Sequence, residues 1–333
     1  MVTDATGITR LNTAYAEARI LHSAVETGVF ELLAEGPLGA AEICARRELH
    51  PRLAEDFLNA LAALGLLVRA GQRYANSEVA REALVPGGPL FLGGRVKAAA
   101  QRHYHTWGRL TEALRDGRPK AAMGLDAMER LYSDPAAARG FFSNMDANNA
   151  VVAPQLSARF DWSPYRSFVD VGGARGNVAA ELVLSHPHLT GHVMDLAQAE
   201  PLFDELMAER GTAGEVTFHP GDFFADEMPS ADVVVLGHVL HDWSSEQCQE
   251  LVDRAFHTLP AGGALVVYDQ MLDDDAPDLR SLIGSLNVAL LSEGGSEYTA
   301  AEFRTWAEKA GFRFDRAERL ARGNDTIAVA LKD

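Results

Sequence analysis

The chain has 333 residues, of which 47 are acidic and 30 are basic, so its formal net charge is −17. This charge excludes a general nucleic-acid binder, because non-specific binding to phosphate backbones depends on clustered positive charge. With 47% hydrophobic and 23% charged residues, the composition is that of an ordinary globular protein, and the length favours two domains at about 150 residues each.

The two cysteines, Cys44 and Cys248, lie far apart, and neither belongs to a paired metal-ligand spacing. We therefore expect no disulfide framework and no zinc site, which fits a reducing cytoplasm. The first ten residues lack a basic segment followed by an apolar run, and no stretch approaches about 18 uninterrupted apolar residues. These features predict a protein that is neither exported nor membrane-bound.

The N-terminal part of the chain has a helical pattern. Apolar residues recur at spacings of three and four over residues 8–76, and one of the predicted helices begins at Pro51. A hairpin that turns at Ala70 and Gly71 follows, so the outline is that of a winged helix. The helix that would contact DNA carries Glu55 and Asp56, which argues against DNA as a partner.

The next region, roughly residues 90–160, is helical and rich in aromatic and imidazole side chains. It is a candidate lining for a small-molecule pocket, and helices that simply pack between two domains are the alternative, since such residues at helical spacing are usually core. The side chains that we expect to contact a substrate here are Tyr104, Trp107, Phe142, Met145 and Asn148.

Beyond residue 160, short apolar runs alternate with helical stretches, which is typical of βαβ units and a parallel sheet. The fold class expected is therefore α/β, with a doubly wound, mainly parallel sheet. Strands are predicted at residues 167–171, 192–195, 216–219, 232–236, 264–268, 312–316 and 326–331.

A glycine-rich turn follows the first of these strands. Gly172, Gly173 and Gly176 precede a predicted helix, and glycines allow both a sharp turn and close approach of the backbone to a ligand. The helix N-terminus offers free N–H groups to an anionic part of that ligand. The glycine spacing differs from the dinucleotide fingerprint, so the turn by itself does not name the ligand.

The next two strands also end in residues suited to a ligand. Asp195 closes the second strand, where a carboxylate can accept hydrogen bonds from both hydroxyls of a ribose, although capping of the following helix is an alternative role. The third strand ends at Gly221 and Asp222, followed by Phe223 and Phe224, which provide an acceptor for an adenine amino group and an aromatic face. The three strand ends predict one crevice.

Two histidines follow the fourth strand. His238 and His241 lie just beyond its carboxyl end, where an imidazole is suited to proton transfer because its pKa lies near neutrality. Asp242 can tune the neighbouring His241, and we expect His238 to be a pocket wall or a ligand contact. Two histidines and an aspartate also suggest metal ligands, but no third ligand follows at a fitting spacing, so we predict no metal.

Several segments together resemble the S-adenosylmethionine-dependent methyltransferases of the plant caffeate and isoflavone O-methyltransferase type and their bacterial natural-product relatives. The matching segments are residues 169–176, 221–224, 237–243, 262–269 and 294–299. The resemblance implies an α/β catalytic domain at 161–333, a winged-helix-like dimerisation domain at 1–100, and a helical linker and pocket region at 101–160. It also implies a homodimer in which each protomer helps to close the other's pocket.

The resemblance assigns His241 as the base that deprotonates an acceptor hydroxyl, with Asp269 and Glu297 flanking it. Asn287 lies where relatives often place an aspartate, so a neutral contact to the acceptor is expected there. The residues expected to bind S-adenosylmethionine are Gly172, Gly173, Gly176, Asp195, Leu196, Gly221, Asp222, Phe223, Phe224, His238 and Trp243.

Two departures from the family pattern matter. Arg175 stands in the glycine-rich turn where a small residue is common, and Asp269 is one methylene shorter than the glutamate of plant members. The expected reaction is methylation of a phenolic hydroxyl on a small aromatic acceptor in secondary metabolism. The alternatives are C-methylation of a phenolic ring, such as that of an aromatic amino acid, and a cofactor-binding homologue that no longer transfers methyl groups.

Overall fold

The computed structural model describes residues 3–88, 90–121 and 131–333, which form two compact units, Met1–His105 and Thr106–Asp333. Part of the predicted pocket region, residues 122–130, lies outside the described residues. The predicted three-part division at residues 100 and 160 is finer than these two units and stays a prediction.

The first unit is helical with a small sheet. Its helices are α1 (Ala5–Glu26), α2 (Val29–Leu33), α3 (Ala40–Arg47), α4 (Pro51–Ala63), α5 (Glu78–Ala83) and α6 (Gly93–Ala98), which continues through a π-helical turn (Ala99–His103) into α7 (Tyr104–Trp107). Its strands are β1 (Leu38–Gly39), β2 (Leu67–Ala70) and β3 (Arg73–Asn76), in the order β1-β3-β2. The predicted hairpin is thus present.

The core of the first unit is formed where the helices meet the hairpin. Phe30, Leu58, Leu61 and Tyr74 are buried there. Leu53, which the apolar spacing places with Leu58 and Leu61, is instead 59% exposed, because the buried stripe of α4 lies one position further round the helix. An apolar face of α4 therefore remains on the surface of this unit.

The second unit is a seven-stranded sheet covered by helices. Its helices are α8 (Leu110–Asp116), α9 (Pro135–Arg159), α10 (Asn177–Ser185), α11 (Glu200–Arg210), α12 (Ser245–Thr258), α13 (Leu279–Leu291) and α14 (Ala300–Ala310). Its strands are β4 (Ser167–Val171), β5 (Thr190–Asp195), β6 (Val216–Pro220), β7 (Val233–Gly237), β8 (Ala264–Asp269), β9 (Arg313–Arg319) and β10 (Thr326–Leu331). Each strand predicted from the sequence is present.

The strand order is β6-β5-β4-β7-β8-β10-β9, in which the first five are parallel and β10 is antiparallel to both its neighbours. Successive side chains of a strand point to opposite faces of the sheet, so consecutive apolar residues pack into two cores, one on each face. Val233 and Val235 pack into the core with α9 and α10, whereas Val234 and Leu236 pack into the core with α12 and α14.

The direction of winding reverses between β4 and β7, which are adjacent strands. Crevices at the carboxyl ends of the strands, beside such a reversal, are where doubly wound sheets bind ligands. The fold therefore brings together the ends of β4, β5, β6, β7 and β8, which carry the residues singled out above. Among the described residues, no helix has the length and apolar character needed to cross a membrane.

Candidate active site

The glycine-rich turn after β4 has a backbone that only small residues fit. Gly172 has a φ of 72°, and a Cβ atom there would lie 2.7 Å from Cγ2 of Val239. A Cβ atom on Gly173 would lie 2.7 Å from a carboxylate oxygen of Asp170. Ala174 also adopts a left-handed φ, of 51°, which is uncommon for a residue with a side chain. The turn is thus tightly packed beneath the crevice.

Asp195 joins the end of β5 to this turn. Its two carboxylate oxygens accept hydrogen bonds from the backbone N–H groups of Ala174 and Leu196, each at 2.7 Å. Burial raises the pKa of Asp195 to about 6, although the two N–H groups oppose that shift. A carboxylate offers about four lone-pair positions, so two remain for a ligand's hydroxyl groups. This geometry suits the predicted ribose contact better than a helix cap.

The end of β6 contributes an acidic group and aromatic rings. Asp222 accepts a hydrogen bond from the N–H of Phe224 at 2.8 Å, which fixes its carboxylate at the strand end. The ring of Phe223 lies 5.1 Å from that of Phe224 and 6.0 Å from that of Trp243, between centroids. The Phe223 ring also lies 3.7 Å from a Cβ placed on Gly172. The cradle therefore suits a ligand that carries ribose and a flat base.

The end of β7 is strained where it passes Tyr268 on the neighbouring strand. A Cβ atom on Gly237 would collide with the Tyr268 ring. His238 then takes a left-handed φ of 54°, and its N–H donates to the Tyr268 carbonyl at 3.0 Å. Strain of this kind costs of order 1–3 kcal/mol and persists only where the surroundings enforce it, most often at functional sites.

His241 lies on the short 3₁₀ helix Leu240–Asp242 and is held by two carboxyl groups. Its Nδ1 is 3.0 Å from Oε1 of Glu297 and 3.3 Å from Oδ1 of Asp269. Glu297 can come this close because the preceding loop packs against the 3₁₀ helix: a Cβ atom on Gly295 would lie 2.8 Å from the His241 carbonyl oxygen. The structure thus explains the glycine pair of the 294–299 motif.

Asp269 and His238 extend this arrangement. Oδ2 of Asp269 accepts a hydrogen bond from the Tyr298 hydroxyl at 2.7 Å, and Oδ1 lies 3.7 Å from Nδ1 of His238. Nε2 of His238 is in turn 3.3 Å from Oδ1 of Asp325. We refer to the following residues as the acid–base cluster: His238, His241, Asp269, Glu297 and Asp325. Three acids and two imidazoles therefore share one largely buried volume.

The acid–base cluster perturbs the titration of its members. Burial lowers the pKa of His241, but Glu297 and Asp269 outweigh it, so that the pKa lies well above the ordinary value. Burial raises the pKa of Asp269 to about 8, against the opposing effect of His241. Glu297 keeps a lowered pKa because His241 outweighs the effect of burial. Glu297 is thus the anionic partner of His241, whereas burial favours the protonated form of Asp269.

Of the predicted acceptor residues, Trp107 and Asn287 are joined by a hydrogen bond, whereas Phe142 lies in a packed cluster. Trp107, which ends α7 and belongs to the second unit, donates its Nε1–H to Oδ1 of Asn287 on α13 at 3.1 Å. Phe142 is buried against Tyr132, with ring centroids 5.0 Å apart, in a cluster that includes Leu202. Phe142 therefore packs in the described structure instead of lining an open pocket.

Met145 and Asn148 are half-buried on α9, and Tyr104 belongs to the first unit. Between the two α9 residues, Asp146 pairs with the Arg175 guanidinium and accepts from Nδ2 of Asn177 at 3.2 Å. Arg175, the departure from the family pattern, thus connects α9 to the glycine-rich turn.

A third potential ligand does lie beside the two histidines in the folded chain. Ligand atoms of His238, His241 and Asp269 lie within 4.8 Å of one another. The argument from sequence spacing against a metal therefore does not apply to the folded chain, and the expected absence of a metal stays a prediction.

Sequence reasoning missed Tyr298, Asp325 and Asp146. Tyr298 lies inside the 294–299 motif and follows Glu297 directly, so its position was the available signal. Asp325 has only a weak signal, as a polar residue immediately before the apolar strand β10. Asp146 lies in a helix whose sequence does not distinguish it from surface acids.

Comparison with known proteins identifies similar chains. A family model described as the O-methyltransferase domain matches residues 107–313, and one described as the O-methyltransferase dimerisation domain matches residues 9–86. The N,N-dimethyltransferase OxyT of Streptomyces rimosus is 46% identical, over 99% of this chain and 97% of its own. The tetracenomycin polyketide synthesis 8-O-methyl transferase TcmO of Streptomyces glaucescens is 45% identical, over 98% of this chain and 96% of its own.

Among solved structures, human N-acetylserotonin methyltransferase in complex with S-adenosylmethionine is similar over 99% of this chain and 98% of its own. Its TM-score is 0.90 at 27% identity.

Proposed function

Because the chain belongs to the O-methyltransferase family and is an S-adenosylmethionine-dependent methyltransferase, we propose that it methylates a phenolic hydroxyl of a small aromatic acceptor, with His241 as general base. The observation that carries this proposal is the largely buried His241, whose side chain is 13% exposed and whose Nδ1 lies 3.0 Å from the Glu297 carboxylate. The similarity of TcmO, named for 8-O-methyl transfer in polyketide synthesis, supports an aromatic natural-product acceptor.

The cradle after β4, β5 and β6 is proposed to hold the cofactor. Asp195 would accept from the ribose hydroxyls and Asp222 from the adenine amino group, with Phe223, Phe224 and Trp243 against the base. Gly172, Gly173 and Gly176 would let the backbone approach the methionine end, and Leu196 and Gly221 would line the edges. When bound, S-adenosylmethionine supplies an electrophilic methyl group on a sulfonium.

The side chains of the acid–base cluster prepare the acceptor. We assign the Nδ1 proton of His241 to the side facing Glu297, because a carboxylate can only accept. Nε2 is then free to take the proton of an acceptor hydroxyl. A phenol has a pKa near 10, so a base whose own pKa is raised towards that value is well matched to it. Methyl transfer otherwise needs in-line placement of the two reacting atoms and exclusion of water.

The acceptor site is proposed to include Trp107, Met145, Asn148 and Asn287. The Trp107–Asn287 hydrogen bond fixes the amide of Asn287, which leaves its NH₂ group to donate to an acceptor oxygen. Tyr104 and Phe142 stay as weaker candidates, since Phe142 is only 1% exposed.

A homodimer is part of this proposal. The match to a dimerisation-domain model supports it, as do Ile8, Leu11 and Tyr15 of α1, which are 61%, 66% and 64% exposed. In the same unit, an apolar groove of about 560 Å³ lies between α1 and α4 and is lined by Ile20 and Phe57, among others. Light scattering of the wild type and of an L11D variant measures the oligomeric state. An unchanged mass in L11D would show that the exposed apolar face of α1 is not the dimer interface. The cytoplasmic location stays a prediction.

Incubation with S-adenosylmethionine carrying a ¹³C-methyl group, and with a panel of phenols, hydroxynaphthoates and polycyclic polyketides, tests the reaction. We expect a methoxy resonance in the product and a loss of about 10²- to 10⁴-fold in kcat for H241A. An aryl-methyl resonance with loss of one ring proton would establish the C-methylation alternative instead. An N-methyl resonance would establish N-methylation, the reaction for which OxyT is named. An unchanged rate in H241A would show that His241 is not the base.

A further inference from the structure

Four buried polar atoms in the acid–base cluster have no hydrogen-bond partner among the described residues. They are Nε2 of His238, Oδ1 of Asp269, Oδ1 of Asp325 and Oε2 of Glu297. Buried polar atoms are nearly always paired, so each such atom requires an explanation. Two of these atoms face each other, since Oδ1 of Asp325 lies 3.3 Å from Nε2 of His238, and Oδ1 of Asp269 lies 3.7 Å from Nδ1 of the same ring.

Both contacts are longer than typical hydrogen bonds, and catalytic hydrogen bonds often tighten only when substrate binds. We propose that Asp325 holds His238 in the tautomer that carries its proton on Nε2, so that Nδ1 of His238 accepts a hydrogen bond from the carboxyl O–H of Asp269 and His241 is left free to act as the base. His238 and Asp325 are thus positioning residues. The inference rests on the proposed role of His241.

The donor and acceptor count supports this assignment. A carboxylate at Asp325 can only accept, so the neutral His238 ring must present Nε2–H towards it and the bare Nδ1 towards Asp269. Oδ2 of Asp269 already accepts from the Tyr298 hydroxyl at 2.7 Å, so the acid proton of Asp269 belongs on Oδ1. Burial raises the pKa of Asp269 to about 8, which favours this protonated form.

The direction of the Asp269 proton matters for His241. Oδ1 of Asp269 lies 3.3 Å from Nδ1 of His241, so it could donate there as well. A His241 ring that accepted at Nδ1 would carry its own proton on Nε2 and could not take one from the acceptor. By accepting that hydrogen bond, His238 leaves the Nδ1–H of His241 to donate to Glu297.

The surroundings of His238 favour its neutral form. The charged and titratable groups that face it are Asp325 before β10, Asp269 at the end of β8, His241 and Asp242 on the 3₁₀ helix, and Glu297 on the loop before α14. The Tyr268 ring lies edge-on at 5.3 Å between centroids. Burial lowers the pKa of His238 against the opposing pull of Asp325, so its tautomer is what Asp325 controls in the resting protein.

The same arrangement can stabilise the charge that develops during the reaction. When the acceptor proton moves to Nε2 of His241, the O–H bond of Asp269 breaks and an N–H bond forms at Nδ1 of His238. The products of that shift are an Asp269 carboxylate beside the His241 imidazolium and a His238 imidazolium beside Asp325. The proton count is unchanged, and each cation faces an anion.

The tautomer can be measured directly by NMR on protein labelled with ¹⁵N in its histidine rings. The chain has 11 histidines, so the spectrum of H238Q identifies the His238 signals by their absence. We expect a protonated Nε2 and an unprotonated Nδ1 in the wild type at neutral pH. A protonated Nδ1 would overturn the proposal, and this measurement needs no turnover.

Kinetics of D325N provide the second test. We expect kcat to fall at least about 10- to 100-fold, the range found when a group that orients a metal-bound histidine is lost, with an unchanged KM for S-adenosylmethionine. D274N is the matched control, because Asp274 is exposed on the segment after β8, and it should match the wild type. A wild-type kcat in D325N would contradict the proposal.

H238Q distinguishes this role from the cofactor contact expected for His238 from the sequence. A lower kcat with an unchanged affinity for S-adenosylmethionine supports the positioning role, and a weaker affinity with an unchanged kcat contradicts it. Cofactor binding measured by calorimetry also shows that each variant is folded. If H241A were fully active, the proposed base would be wrong, whereas the His238 tautomer would still be read from the NMR spectrum.

Discussion

Replacement of Glu297 by Gln tests the electrostatic basis of the active site. His241 acts as a base only when it is neutral, and its raised pKa means that activity increases as the pH rises through that value. Removal of the Glu297 charge lowers the pKa. The acid limb of the kcat/KM profile should therefore move to lower pH in E297Q.

The size of the shift follows from the 3.0 Å separation of His241 Nδ1 and Glu297 Oε1. Two unit charges at that distance and an effective dielectric constant of about 20 attract by about 5 kcal/mol, which is an upper bound because both groups are desolvated. An opposite charge at close range typically moves a pKa by about 1–3 units, and we expect the limb to move by that amount. The plateau rate should fall about 10²- to 10⁴-fold, since the imidazolium formed in the transition state loses its partner.

The assay is initial rate against pH at saturating S-adenosylmethionine, with E293Q as control. Glu293 lies in the same loop but is exposed, so E293Q should retain the wild-type profile. A profile for E297Q with both the limb and the plateau unchanged would show that Glu297 does not support His241. The short, buried contact between His241 Nδ1 and Glu297 Oε1 would then have no effect on the base.

Three further predictions concern the cradle, the α9 connection and the metal. G172A should lose about 1–3 kcal/mol of unfolding free energy and bind S-adenosylmethionine at least about tenfold more weakly, because Gly172 has a φ of 72° and Val239 occupies the position of the added Cβ atom. G214A is the control and should show neither effect, since a Cβ atom there meets open space. Urea titration measures the stability and calorimetry measures the cofactor affinity. D146A should raise the KM for the acceptor several-fold, because it releases Arg175 from α9. E205Q is the control and should have a smaller effect, since the Arg139–Glu205 ion pair is exposed. Equal KM values in D146A and E205Q would show that the Asp146–Arg175 pair does not support acceptor binding. Dialysis against a chelator should leave the rate unchanged, whereas a loss restored by one divalent cation would identify a metal in the acid–base cluster.

Much of the catalytic unit could be predicted because the signals are local. The strand of Val233 to Leu236 is buried on both faces and is therefore a continuous apolar run in the sequence, and the other six strands were also predicted, with ends a few residues off. The glycine-rich turn and the His238–Asp242 segment were located for the same reason, since each lies next to a strand. α4 shows the limit, because Leu53 fits the apolar spacing and is nevertheless exposed.

The partners of the site could not be predicted from spacing. Asp325 and His238 lie 87 positions apart in the sequence and meet because β10 inserts antiparallel beside β8. Tyr298 reaches Asp269 for a similar reason, through the close packing of the loop before α14. Side chains that meet across a sheet leave no periodic signal, so only the folded chain shows them.

By itself, the sequence determined the α/β class, the crevice, the family resemblance and His241 as the candidate base, because alternation of apolar residues and strand-end motifs are local properties of the chain. The net charge of −17 excluded nucleic acid, but it did not distinguish functional carboxylates from solvated ones. The resemblance already implied that Asp269 and Glu297 flank His241. Only the tertiary structure decided that Glu297 makes the closer contact, that Asp269 lies between two imidazoles and that Asp325 faces the second of them. Burial strengthens the electrostatic interactions at these few contacts, since charges removed from water interact strongly with their nearest neighbours.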